Sequence, residues 1–169
     1  GKWNDAERCI LECLALHHRS GNTYGIGMGL RNHTAQLLFR HDLSSAENNI
    51  RDGLTLVRET GHRSNAVAIL YQASLLHLLY QHYDEARAFA QESLEEGLKL
   101  VAANQFESLY PRIALGCAFI GLRDNDVAIP HLYAGLPHAE GAPADNVSRR
   151  YVLTGIAHYY AHTGEYERA

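Results

Sequence analysis

Long apolar runs are missing from this chain: its longest uncharged apolar stretches, Ala66 to Leu70 and Ile113 to Ile120, fall far short of the roughly 20 residues a membrane-spanning helix needs. Concentrated positive charge is missing as well. Lys and Arg number 15 against 19 Asp and Glu, for a formal charge of −4, and no basic cluster exceeds Arg149-Arg150. Phosphate neutralisation needs a dense positive stripe, so this segment is not expected to touch nucleic acid directly. Cysteine is scarce. Cys9, Cys13 and Cys117 are an odd number without framework spacing, which excludes a disulfide scaffold and points to a reducing, cytoplasmic setting.

Chemical motifs are equally sparse. No HExxH pattern occurs, and no nucleophile, base and orienting group can be placed together by spacing, so no enzyme and no cofactor are expected. The glycine series Gly25-Ile26-Gly27-Met28-Gly29 has no preceding strand and no lysine, unlike a phosphate cradle. Its three glycines predict a loosely formed helix start instead. The opening Gly1-Lys2-Trp3-Asn4-Asp5 carries no apolar core followed by a cleavage site, so it does not read as a signal peptide.

What is present is a repeat. An alanine, then seven residues on a small residue and a leucine, recurs as Ala6…Cys13-Leu14, Ala46…Gly53-Leu54, Ala86…Ser93-Leu94 and Ala128…Gly135-Leu136, and a fifth copy begins at Ala169. By subtraction of residue numbers the intervals are 40, 40, 42 and 41. Such a period marks a stack of supersecondary units that bury their apolar faces against one another. One repeat domain over residues 1–169 follows, with units near 1–21, 22–61, 62–103, 104–142 and 143–169. The chain has no initiating methionine and its last copy is cut short. It therefore reads as a piece of a longer protein.

Each unit contains two stretches of helical periodicity separated by a short polar break. The first helices are predicted near Tyr24 to Arg40, Ser64 to Gln81, Glu107 to Leu122 and Asn146 to His162. The second helices are predicted near Asn4 to His17, Ser44 to Glu59, Asp84 to Ala102 and Asn125 to His138. Asp42-Leu43-Ser44-Ser45 and Asp124-Asn125-Asp126 supply capping oxygens between them. Pro130 falls near a first turn and Pro137 near a helix end. Pro111 is discordant and predicts a delayed helix start or a kink. Small residues at the repeated site let helices approach closely, so Gly53 and Gly135 are expected to resist enlargement.

These residues resemble the tetratricopeptide repeats. Tyr83-Asp84-Glu85-Ala86, Gly164-Glu165-Tyr166-Glu167-Arg168-Ala169 and Trp3-Asn4-Asp5-Ala6 are similar to the family's turn between its two helices, and Thr34, Ser74, Gly116 and Ala157 fall at its small residue in helix one. The units are longer than the family's 34 residues, and Leu43 and Asn125 replace the turn aromatic. In loop length and style the chain is similar to sensor or scaffold arms of large bacterial ATP-dependent transcription activators and related signalling ATPases.

The resemblance implies an all-α, right-handed superhelical solenoid of about eight helices, with a concave wall made by the first helix of each pair. The groove positions it implies are Met28, Arg31 and Ala35, then Tyr71, Leu75 and Leu78, then Tyr110, Ile113 and Cys117, and finally Tyr151, Thr154, His158 and His162. Tyr71, Tyr110 and Tyr151 form an aromatic ladder that either holds a ligand or packs between units. Arg31 and Asn32 alone come near the basic and amide pattern of a carboxylate clamp. Two readings follow: a protein or peptide partner in the groove, or a small-molecule or signalling-peptide effector controlling an attached ATPase or DNA-binding domain. Uncapped terminal helices also leave room for a homodimer.

Other clusters carry less. Cys9, Cys13 and His17 share a helix face, but the repeat assigns Cys13 to packing and a fourth ligand is missing. His158 and His162 stand one turn apart with no glutamate between them, so no metal site is expected. Glu92, Glu95 and Glu96 read as a solvated face. The eleven histidines are scattered and read mainly as loop and helix-surface residues.

Overall fold

In the computed structural model, residues 2–100, 105–134 and 147–164 are described. They form eight helices: α1 (Lys2–Ser20), α2 (Thr23–Phe39), α3 (Leu43–Thr60), α4 (Arg63–Leu79), α5 (Tyr83–Leu98), α6 (Gln105–Gly121), α7 (Asn125–Tyr133) and α8 (Val147–Thr163). Among the described residues there is no strand, and the periodicity of the sequence is recovered helix by helix. α5 ends at Leu98, short of the expected Ala102. Gly135, Pro137 and the start of the fifth copy lie outside the described residues.

The turns inside each pair repeat as faithfully as the helices. His41, Gln81 and Arg123 adopt left-handed backbone at φ 57°, 60° and 63°, and Gly164 takes the equivalent place at φ 81°. After His41, Gln81 and Arg123 the next amide reaches back into the preceding helix: Asp42 to the Leu37 carbonyl at 3.0 Å, His82 to His77 at 2.9 Å and Asp124 to Phe119 at 2.9 Å. This is the bonding of a Schellman stop, which satisfies carbonyls that a helix end would otherwise orphan. The junctions between pairs use glycine: Gly21 (φ 65°) and Gly61 (φ 69°) follow α1 and α3. Asn22 and Asp42 then cap α2 and α3 by accepting from the Gly25 and Ser45 amides.

Two layers result. α2, α4, α6 and α8 pack side by side as an inner layer, and each of α3, α5 and α7 packs on both the inner helix before it and the inner helix after it. Among the described residues the outer helices α1, α3, α5 and α7 do not touch one another. Three apolar clusters follow the stack: Leu37, Ile50 and Leu76 across α2–α4, Leu94 and Leu115 across α5 and α6, and Ile120, Leu132 and Ile156 across α6–α8. Each unit therefore completes its core with the next.

The repeated small residues do what close helix packing demands. Ala46, Ala86 and Ala128 are completely buried. A Cβ at Gly53 would stand 2.8 Å from Ile69 Cδ1. Ser93 instead donates its hydroxyl to the Val67 carbonyl at 2.7 Å. Thr34 and Ser74 are buried on the inner helices, and Gly116 receives the Leu132 side chain.

Two expectations need correction. Gly25, Gly27 and Gly29 are not a loose helix start: all three are buried within α2, where His17, Asn65 and Leu14 respectively occupy the space a Cβ would need. The glycines clear a path for α1 on one side and α4 on the other. Of the two outcomes expected at Pro111, the delayed start does not occur. α6 begins at Gln105, 42 residues after α4 begins, and runs through the fully buried Pro111. One backbone bond is forgone, against burial of the whole ring.

Candidate functional site

The inner layer carries an open pocket of about 730 Å³. α2 supplies Ala35, Leu38 and Phe39, and α4 supplies Tyr71, Gln72, Leu75, Leu78 and Leu79. α6 contributes Tyr110, Ile113, Ala114, Cys117, Ile120 and Gly121, and α8 contributes Thr154 and Gly155. His41 from a turn and Tyr83 from α5 complete the wall. These residues meet because each inner helix presents one stripe at helical spacing, such as Tyr110, Ile113, Ala114 and Cys117 on α6.

The pocket is nearly uncharged. No Lys, Arg, Asp or Glu is among its described lining residues. Cys117 does not supply an anion either, because burial pushes its thiol up to about 11 and keeps it protonated at neutral pH. Ile113 and Ala114 are buried in its floor, whereas Tyr71, Leu75, Leu78 and Tyr110 are part-exposed. The Tyr71 and Tyr110 rings contact at 5.5 Å between centroids, joining α4 to α6. Gln72 fixes the neighbouring joint by donating from Nε2 to the Arg31 carbonyl at 2.7 Å. Both contacts hold adjacent inner helices at the spacing that shapes the cleft.

Of the groove positions expected from sequence, Ala35, Tyr71, Leu75, Leu78, Tyr110, Ile113, Cys117 and Thr154 converge on this pocket. Met28, Arg31 and Asn32 lie earlier on α2 and do not line it; there the helix is committed to α1 and α4 through its glycines. The side chains of Tyr151, His158 and His162 are outside the described residues, so the ladder has two observed rungs. Residues the sequence reading missed include Phe39, Leu79 and Gly121, spaced 40 and 42 apart at the inner-helix ends. That interval was the available signal. Tyr83, read as a turn aromatic, also lies with its ring against Gly121.

The other clusters resolve differently from their sequence patterns. Cys9 and Cys13 are exposed, so Cys13 is not a packing contact. His17 points away from them onto Gly25 of α2, because successive i, i+4 steps rotate by about 40° and separate the ends of such a triplet. Among the described residues no group of three or more metal-ligating side chains occurs. Among the described residues His17, His33, His62, His77 and His131 are half-buried rather than exposed, and two of these stack on an aromatic ring. His77 stacks on Phe89 at 5.2 Å and His131 on Phe119 at 5.8 Å. Burial holds both imidazoles below their ordinary value, with Arg112 adding to the effect at His131 and Glu85 opposing it at His77. Glu96 is held below the usual carboxylate range by its bonds to Lys99 and Arg63, so it belongs to an ion-pair cluster that links α5 to α4.

Set beside known protein families, curated proteins and solved structures, the chain matches none of them. Functional argument therefore rests on this chain's own geometry.

Proposed function

We propose that this chain is a non-enzymatic binding arm of the tetratricopeptide kind, whose inner layer forms the concave wall of a right-handed superhelix and receives an apolar segment of a protein or peptide partner. The observation that carries the reading is the uncharged pocket lined by α2, α4, α6 and α8. A charged group entering it would lose hydration and gain no counter-charge, so the preferred segment is neutral and rich in aliphatic or aromatic side chains. Tyr71 and Tyr110 offer large contact area with little rotamer entropy to lose, as interface hot spots do. The raised Cys117 pKa argues against a thiolate nucleophile in the same place.

Such an arm would serve as the interaction or sensor part of a larger bacterial regulatory protein. The second reading, a small effector in the same pocket, is favoured by its size: about 730 Å³ lies within the roughly 300–1,000 Å³ of small-molecule sites. Calorimetric titration of the chain with neutral apolar peptides, with the same peptides carrying a central Asp or Lys, and with small neutral metabolites separates the readings. Tyr71→Ala/Tyr110→Ala of unchanged helicity is the control. The peptide reading expects binding by neutral peptides alone and its loss in the double variant; binding only by metabolites would replace it with the effector reading.

A further inference from the structure

Gln72 belongs to the pocket wall and uses only half of its amide. Its Nε2 donates to the Arg31 carbonyl at 2.7 Å, but Oε1 is enclosed and accepts from no described residue. The residue is 8% exposed, and an enclosed acceptor without a donor forgoes the bonds it makes to water in the unfolded chain. Of the buried side-chain atoms that lack a partner among the described residues, this one alone belongs to the pocket lining.

Joining α2 to α4 does not by itself account for that amide. Two turns earlier Asn65 already ties the same helices, donating to the Tyr24 carbonyl at 3.0 Å. Its Oδ1 is unpaired as well, but Asn65 stands over Gly27 and outside the pocket lining. At the position equivalent to Gln72 on α6, 42 residues on, Ala114 is buried in the pocket floor. An apolar residue therefore meets the packing needs of that position.

The chemistry of the wall narrows the donor that suits Oε1. A charged donor would lose its hydration and find no counter-charge, since no Lys, Arg, Asp or Glu is among the described lining residues. A hydroxyl or an amide brings an acceptor of its own that would need pairing in turn, whereas an indole offers a single N–H and nothing else. The Tyr71 and Tyr110 rings supply aromatic surface in the same wall. The last torsion of a glutamine side chain is broad, so a modest rotation turns Oε1 to an entering donor, and the 2.7 Å bond to Arg31 has room to lengthen.

We infer that Gln72 Oε1 is the acceptor for an indole N–H, presented by a tryptophan side chain of the bound segment; this rests on the pocket being the binding site. The acceptor makes the pocket selective for an aromatic group with one neutral donor over a purely hydrocarbon one of the same size.

The test compares skatole, the tryptophan side chain as a free molecule, with its isomer N-methylindole, which has the same atoms but no donor. Each is titrated into the isotope-labelled full chain, and the amide shifts of Tyr71, Ala114 and Cys117 report entry into the pocket. Skatole is expected to bind at least about tenfold more tightly, a 1.4 kcal/mol difference, and Gln72→Met of unchanged helicity is expected to bring the two isomers within about twofold of each other. A neutral peptide of alanine and leucine with one central tryptophan is expected to displace skatole. Equal binding of the isomers by the unmodified chain, or a preference that Gln72→Met leaves intact, overturns the inference while the pocket stands. Selective skatole binding that the peptide does not displace supports Gln72 as the acceptor and overturns the partner segment in favour of a small effector. No shift at those amides with either isomer or the peptide overturns the pocket and the inference together.

Discussion

At the residue scale, the sequence rule that small means close is quantitative here. Asn65, completely buried, donates from Nδ2 to the Tyr24 carbonyl at 3.0 Å and also fills the space in front of Gly27. Gly27→Ala gains helix propensity but displaces that amide, whose lost bond and strain cost about 2 kcal/mol or more net; a lowered urea midpoint with unchanged slope is the expected reading. The two half-buried, ring-stacked histidines give a second prediction. In the unfolded chain His77 and His131 take protons near the ordinary value of 6.5, whereas the folded chain holds them neutral to lower pH. Both states are unprotonated well above 6.5, so their effect on stability is absent there and grows as pH falls through 6.5 towards the lowered folded values. Denaturation midpoints are expected to drop between pH 7.5 and 5, and to drop less in His77→Phe/His131→Phe. The sequence showed eleven histidines without distinguishing these two, because the Phe89 and Phe119 rings that stack on them are brought there only by the packing of neighbouring helices.

At the scale of the element, the three turns with left-handed non-glycine residues are the least economical parts of the fold. An L residue in that region costs roughly 1 kcal/mol relative to glycine, and Gln81 and Arg123 are exposed. Gln81→Gly and Arg123→Gly are each expected to raise stability by about 0.5–1 kcal/mol, part of the gain being offset by the freer unfolded chain; thermal melts check this, and a loss in both variants would mean that the side chains hold the turns. Helix positions were legible from periodicity to within a few residues for most of the chain. The glycine series of α2 was not. Its meaning depends on Leu14 and His17 of α1 and Asn65 of α4, which two other helices bring against α2, and local glycine content alone reads as looseness. Pro111 misled for a related reason: propensity penalises proline in any helix, but the burial of its ring is a tertiary fact.

Taken as a whole molecule, the repeat arranges inner helices into a continuous layer and leaves the outer ones apart. The period alone predicted paired helices, and the family resemblance supplied the groove stripe, of which Tyr71 through Cys117 meet in one pocket. The ends of the site were harder to read, because α2 spends its early turns on packing and the terminal α8 side chains are only partly described. A filled pocket gives a direct check on the central claim. Ala114, fully buried at the pocket floor, is poorly suited to enlargement, whereas part-exposed Leu75→Trp fills the cleft from its wall and is expected to weaken ligand binding at least about tenfold, or 1.4 kcal/mol, with little change in melting temperature. The most direct measurement is amide chemical-shift mapping of the isotope-labelled chain during titration with a neutral apolar peptide of about eight residues. The account predicts perturbations centred on Tyr71, Leu75, Tyr110, Ile113 and Cys117; saturable shifts confined to the outer helices α3 and α5, with those residues unmoved, would contradict it.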